Sequence, residues 1–324
     1  MKVCIYGAGA IGGWIGVRLA QAGCAVSVVA RGESLARLQS AGLGLREGGQ
    51  LHTVPVRASA YPVDLGEQDL VVIAVKAPSM PGVAQAIAPL LGEKSMVLTA
   101  MNGVPWWFFN GFGGALRGIR LQAIDPDGLI AAAIAPQHVI GCVVHASCSV
   151  ESPGSIGHHF GNGLIIGEPS GGSSERVQAL HALLLRAGFA ATVSDQIQKD
   201  VWYKLWGNMT VNPVSALTGA TTDLIMDDEL VRGFVSNVML EAREIGARIG
   251  IPIEQQPEDR HQVTRKLGAF KTSMLQDVEA GKPVELDALV STVRELGQLA
   301  HVATPFTDAL LGLARLQARV RGLY

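Results

Sequence analysis

Apolar residues follow two different rhythms along this chain, and the change comes near residue 195. Before it, short β-branched runs alternate with segments of helical spacing. Lys2–Tyr6, Ala25–Val29, Leu70–Val75 and Met96–Ala100 read as strands. Between them, Ile11–Gln21, Ser34–Ala41 and Gly82–Leu91 carry apolar positions three and four apart, and Gly23 and Gly42 supply stop signals. Strands alternating with helices predict a parallel, doubly wound sheet. Residues 138–194 read as further strands and one helix, Glu175–Ala187. From about Gln196 the spacing is helical: Gln196–Val211, Asp228–Ile249, Glu258–Glu279, Asp287–His301 and Pro305–Val320, punctuated by Pro213, Pro252, Pro257, Pro283 and Pro305. The reading is an α/β domain over residues 1–195 followed by an all-α domain over 196–324.

Composition narrows the class. With 48% hydrophobic and 17% charged residues the chain can bury a large core, and a formal net charge of −2 gives no basic excess for nucleic acid or a lipid surface. Lys2 and the apolar stretch behind it resemble a signal peptide, but five interrupting glycines and Arg18 fit a strand, turn and helix better. Leu129–Ala146 is broken by Pro136, Gln137 and His138, which argues against a membrane span. Cys4, Cys24, Cys142 and Cys148 form no CxxC pair and sit in apolar surroundings, as expected of buried thiols in a reducing cytoplasm. His158 and His159 are adjacent in a Gly-rich hairpin and would face opposite sides of a strand, so no metal is expected there. The aromatic segment PWWFF (105–109) reads either as a folded insertion packing on itself or as an apolar wall near a site.

The stretch GAGAIGG, residues 7–13, follows the first strand and opens the first helix. It matches G-x-G-x-x-G at Gly7, Gly9 and Gly12, and Ala10 and Ile11 between them are expected to line the cofactor with these glycines. Gly7 suits the tight turn, Gly9 lets a pyrophosphate reach the backbone, and Gly12 allows close helix–strand packing. The helix N-terminus then offers free N–H groups to phosphate. The pattern points to a Rossmann-type dinucleotide site. The second strand ends in Ala30 and Arg31 rather than an acidic residue. Arginine there can pair with a 2′-phosphate, which favours NADPH, although Glu33 is close enough in sequence to reach a ribose. Lys76 and Asn102 stand just past strand ends, where ligand crevices open in such sheets.

A second informative stretch is DVWYKLWGNMTVNP. Lys204, Asn208 and Asn212 are spaced i, i+4, i+8, one stripe of a helix that is otherwise apolar, with Pro213 expected to kink or end it. A lysine in a partly desolvated cleft can act as acid or base, and two amides can donate to a substrate oxygen. Ser273 and Glu285 lie in TSMLQDVEAGKPVELD and, taken alone, read as a helix-surface serine and a solvated acid next to a helix start.

Taken together, GAGAIGG, Arg31, AVKAPS, MNGV, PGSIGHHFGNGLIIGE, KLWGNMTVNP and TSMLQDVEAGKPVELD resemble the ketopantoate reductases over nearly the whole chain. The resemblance implies NADPH-dependent reduction of a 2-keto acid, with a site between two domains. It implies Lys204 as general acid and Glu285 as the acidic residue supporting substrate and lysine. It also implies Asn208 and Asn212 as substrate-side amides, Ser273 as a carboxylate contact, and Lys76 and Asn102 flanking the nicotinamide end. The chain departs from the family pattern at Phe270 and Thr222, where Asn is common, in the run after Glu285 (LDALVS), and at PWWFF. These bear on the substrate side, so a bulkier 2-keto acid remains open. A sister dehydrogenase acting on 3-hydroxy or opine-type substrates would not predict the TSMLQD segment with Glu285. A non-catalytic NADPH sensor would not need Lys204, Asn102 and Glu285 together. Amphipathic helices such as Pro305–Val320 suit packing inside a subunit or across a homodimer.

Overall fold

The computed structural model describes all 324 residues. Two compact units divide the chain: residues 1–101 with 128–197, and residues 102–127 with 198–324.

The first unit is a ten-stranded sheet with helices packed on it. Its strands are β1 (Lys2–Tyr6), β2 (Ala25–Val29), β3 (Leu43–Glu47), β4 (Gln50–Val54), β5 (Arg57–Ser59), β6 (Gln68–Ile73), β7 (Leu91–Thr99), β8 (Val139–Ser152), β9 (Ser155–Gly167) and β10 (Ala190–Val193). The spatial order is β4-β3-β9-β8-β7-β6-β1-β2-β5, with β10 beside β9. From β5 across to β8 every pairing is parallel. The central strands β1, β2 and β6 and the second half of β7 are buried on both faces, which is why these segments read as continuous apolar runs. The sheet is nevertheless mixed, not parallel throughout. β3–β4 and β8–β9 are antiparallel, because each pair is joined by a tight turn and a hairpin has no other option. Gly48 and Gly49 make the first turn with φ of 56° and 83°, and Gly154 makes the second with φ of 74°.

The helices of this unit are α1 (Ala10–Gln21), α2 (Gly32–Ala41), α3 (Met80–Ala86), α4 (Leu129–Ala133) and α5 (Glu175–Arg186). Trp14 of α1 is fully buried, edge-on to Phe189 at 4.9 Å and stacked on His158 at 5.7 Å. His158 turns its Nδ1 to Glu47 at 2.9 Å, whereas His159 turns to the Ser149 hydroxyl at 2.8 Å. Glu168 is held by Arg176 at 2.5 Å and by Ser174. Burial opposes its charge, but these hydrogen bonds outweigh that and hold the carboxyl below its ordinary range. All four cysteines are free, and burial pushes the Cys4 and Cys148 thiols up to about 12, so both stay protonated at neutral pH.

The second unit is helical: α6 (Ile197–Thr218), α7 (Thr222–Asp227), α8 (Glu229–Arg248), α9 (Pro257–Arg265), α10 (Ser273–Glu279), α11 (Thr292–Leu299) and α12 (Pro305–Val320). α6 lies against α8, where Trp206 Nε1 donates to the Met239 carbonyl at 2.7 Å. Gly246 leaves room for Trp202, since a Cβ there would fall 2.4 Å from the indole nitrogen. The Glu241 carboxylate accepts from the Phe306 and Thr307 N–H groups, both at 2.8 Å, and so satisfies two orphan donors at the start of α12.

Three helical spans of the second unit differ from those the sequence predicts. α6 does not end at Pro213 but runs on to Thr218 with the proline inside. An interior proline costs about 3 kcal/mol. Burial of Val211, Val214, Ser215 and Ala216 around it offsets that cost. The span Glu258–Glu279 is not one helix. It breaks between α9 and α10, where Gly268 takes φ of 63° and Thr272 caps the new start by accepting from Leu275 N–H at 3.2 Å. The segment expected to be helical from Asp287 begins with a π-helical turn, Asp287–Ser291. No helix is long and apolar enough to cross a membrane.

Residues 102–127 form no long element and lie with the helices of the second unit. Trp107, Phe108 and Phe109 are buried. Phe108 meets Phe109 edge-on at 5.3 Å and approaches Trp202 at 6.3 Å, and Phe109 stacks on Phe112. Of the two readings of PWWFF, this is the packed insertion. The Glu295 carboxylate ties the segment down by accepting from Gln122 and Ala123 N–H at 2.7 and 2.9 Å.

Candidate active site

In the first unit, the parallel register aligns the ends of neighbouring strands: Tyr6 pairs with Val29 on one side and Ile73 on the other. The residues that follow, Gly7–Gly9, Ala30–Arg31 and Ala74–Lys76, therefore emerge along one edge of the sheet. The three motif glycines differ in what surrounds them. Gly7 has φ of 98°, and a Cβ there would lie 2.7 Å from Val75 Cγ1. Gly12 is packed so closely that a Cβ would lie 2.1 Å from the Gly7 carbonyl oxygen. Gly9, the N-cap of α1, faces open space, with nothing within 4 Å of a built Cβ. Ala10 and Ile11 open the helix, no acidic residue stands in its first turn, and no side chain caps it. Free N–H groups and an uncluttered approach are what a pyrophosphate needs.

Arg31 is exposed at the end of β2 as the N-cap of α2, next to Glu33 in the first turn of that helix. Lys76 follows β6 and caps a short 3₁₀ turn, Ala77–Ser79. Both positions suit a ligand that runs along the strand ends.

In the second unit, Lys204 Nζ donates to Asn102 Oδ1 at 2.8 Å across 102 residues of sequence. Asn102 is placed by its neighbours. Gly103 has φ of 83°, and a Cβ there would fall 2.5 Å from the Ala288 carbonyl. Val104 N–H donates to that same carbonyl at 2.9 Å. Ala288 belongs to the π-helical turn and stands three residues after Glu285, which is 5% exposed. One backbone contact thus links the Asn102 loop to the Glu285 segment. Tyr324 OH and Ser291 Oγ both donate to Asp287 Oδ1, at 2.7 and 2.8 Å, and steady the turn. Sequence reasoning missed Gly103 and Ala288. Gly103 had a signal, as the glycine of MNGV, but the π turn had none.

α6 is buried on nearly all sides. Between residues 201 and 216 only Tyr203, Lys204 and Asn208 keep appreciable exposure. Asn208 therefore shares the accessible stripe with Lys204, whereas Asn212, one turn on, is buried. Ser273 is the first residue of α10 and partly exposed, and it makes no hydrogen bond to Lys204. Thr222 is buried and donates twice, its N–H to the Phe270 carbonyl at 3.0 Å and its hydroxyl to Gly268 at 2.7 Å. Its donors are used in holding the α9–α10 connection. No group of three His, Cys, Asp or Glu side chains is placed to hold a metal ion.

A mixed Rossmann-type sheet with a glycine-rich first turn, followed by a helical unit carrying a lysine–amide pair, defines the class of two-unit dinucleotide-dependent oxidoreductases. The chain belongs to the ketopantoate reductase family. Residues 3–106 match the family's model "Ketopantoate reductase PanE/ApbA", and residues 196–318 match that of its C-terminal domain. It is 48% identical over the full length of both chains to a 2-dehydropantoate 2-reductase of Mesorhizobium japonicum. A solved structure from Ralstonia solanacearum MolK2, named provisionally as a ketopantoate reductase, shares 58% identity over 99% of each chain with a TM-score of 0.95. The 2-dehydropantoate 2-reductase of Geobacter metallireducens GS-15 superposes with a TM-score of 0.86 at 25% identity, covering 98% of this chain and all of that one.

Proposed function

We propose that this chain reduces 2-dehydropantoate to pantoate with NADPH. The observation that carries the reading is the Lys204–Asn102 pair on the one accessible stripe of an otherwise buried helix. NADPH bound at the glycine-rich turn supplies the hydride. The ketone oxygen gains negative charge as its carbon accepts that hydride, and an ammonium nearby both stabilises the charge and provides the proton. Lys204 does this, with Asn102 fixing its direction. Glu285, Asn208, Asn212 and Ser273 serve the substrate side, and Gly7, Gly9, Ala10, Ile11, Gly12, Arg31, Lys76 and Asn102 the cofactor side.

Initial rates of NADPH oxidation with ketopantoate, beside a panel of other 2-keto acids, test the reading. Ketopantoate is expected to have the highest kcat/KM. A panel member that exceeds it would keep the chemistry and move the substrate, and Phe270 would be the first side chain to change. Arg31→Ala is expected to weaken NADPH by about 10- to 100-fold, the value of a charge-assisted contact to a 2′-phosphate, and to leave NADH nearly unaffected. Equal losses for the two cofactors would remove Arg31 from the cofactor set.

A second copy of the chain is the macromolecular partner proposed. α12 leaves Leu313, Leu316 and Val320 exposed at 60, 62 and 81%, spaced three and four residues apart along its outer face. The solved Staphylococcus aureus ketopantoate reductase of this fold is described as dimeric. Sedimentation equilibrium should give twice the chain mass, and Leu313→Asp should halve it. A monomer in the unaltered protein would end this part of the proposal.

A further inference from the structure

Arg260, on α9, is a cation with no anion. Its guanidinium carbon sits 5.5 Å from the Tyr203 ring centroid, and its Nε is buried without a hydrogen-bond partner. No ion pair reaches it. Glu258 on the same helix faces Arg265 at 3.8 Å, and Asp259 is used at the helix start, accepting from Gln256 N–H at 2.8 Å. The side chain also lies tight against α6. A Cβ on Gly207 would fall 2.6 Å from Nε and 2.7 Å from Nη2, so the guanidinium occupies the space that this glycine leaves.

Tyr203 and Gly207 are adjacent to Lys204 and Asn208. At 100° per residue, positions 203 and 207 border the stripe formed by 204 and 208. Arg260 therefore lies beside the accessible face of α6 that carries the lysine. The Tyr203 ring and the notch at Gly207 hold the guanidinium on this face and leave its remaining N–H groups to be used. A guanidinium without an anion, held on the same helix face as a second cation, is suited to a planar carboxylate.

We propose that Arg260 binds the carboxylate of the 2-keto acid while Lys204 addresses its ketone oxygen. The proposal rests on the reading of α6 given above. It makes Arg260 a substrate-binding residue that the motifs do not mark, and gives Gly207 the role of admitting it.

The test is steady-state kinetics of the full-length protein and its Arg260→Gln, Arg260→Lys and Gly207→Ala variants, with NADPH affinity and thermal midpoint measured on each. Arg260→Gln should raise KM for ketopantoate about 10- to 100-fold and change kcat less than threefold. NADPH affinity and midpoint should stay as they were. Arg260→Lys, a point charge without the fork, should fall between. Gly207→Ala leaves the charge in place but displaces it, so KM should rise in the same direction. If the unaltered protein turns over ketopantoate and Arg260→Gln stays within twofold in KM, the role of Arg260 is overturned and the proposed reaction stands. Parallel loss of kcat, NADPH affinity and midpoint would mark Arg260 as structural and overturn it too. Absence of turnover in the unaltered protein with any 2-keto acid would overturn the proposed reaction, and this inference with it.

Discussion

Replacing Lys204 by alanine is expected to lower kcat by about 10²–10⁴-fold at saturating ketopantoate. The residue is asked to do two things at one oxygen, stabilise developing charge and deliver a proton. Alanine removes both and leaves binding by the remaining groups. The Asn102 amide would lose its 2.8 Å partner but cannot replace it, since a carboxamide does not give up a proton at neutral pH. Fold stability should change little, because Lys204 is among the few residues of α6 that are not buried. Stopped-flow or steady-state NADPH oxidation reads the result. A fall of less than threefold would exclude Lys204 as the acid.

Gly12→Ala should abolish useful NADPH affinity, raising Kd at least about 100-fold, a loss of roughly 2.7 kcal/mol or more. The new methyl would lie 2.1 Å from the Gly7 carbonyl and 3.0 Å from both Ala74 Cβ and Ile5 Cγ2. Two of those three atoms belong to the turn or the strand before it, so α1 must move away from β1 and carry its N–H groups with it. The thermal midpoint should drop as well. Gly9→Ala separates the two effects, because its methyl would meet no protein atom within 4 Å. That variant should keep its midpoint and still lose NADPH affinity, since the methyl stands where the phosphates approach. Fluorescence titration of both variants checks this. Unchanged affinity in Gly9→Ala would mean that the pyrophosphate does not approach the chain there.

The sequence made some features plain and others invisible, and the difference is physical. GAGAIGG was legible because Gly7 and Gly12 answer local steric demands that the chain itself creates, and Gly9 completes their spacing. Pro305–Val320 was read to the residue, since proline opens the helix and a sharp apolar stripe runs along it. The β3–β4 hairpin carries a local signal, Gly48–Gly49 between two short alternating runs, but the alternation of strands with helices outweighs it and predicts a wholly parallel sheet. Pro213 misled because local propensity cannot register the burial that overrides it. The contacts hardest to foresee lie far apart in the chain. Gly103 meets Ala288 across 185 residues, and Arg260 fills the notch at Gly207, and neither pairing leaves a periodic trace. The aromatic run PWWFF showed its composition but not its direction, and only the packing of Phe108 on Trp202 places it in a core.

Following the hydride tests the proposed reaction at its reacting atom. Ketopantoate would be incubated with the protein and NADPH deuterated at both C4 positions, and the product analysed by mass spectrometry. Pantoate carrying a single deuterium at C2 is expected. Unlabelled pantoate, or NADPH bound and never consumed with any 2-keto acid, would contradict it.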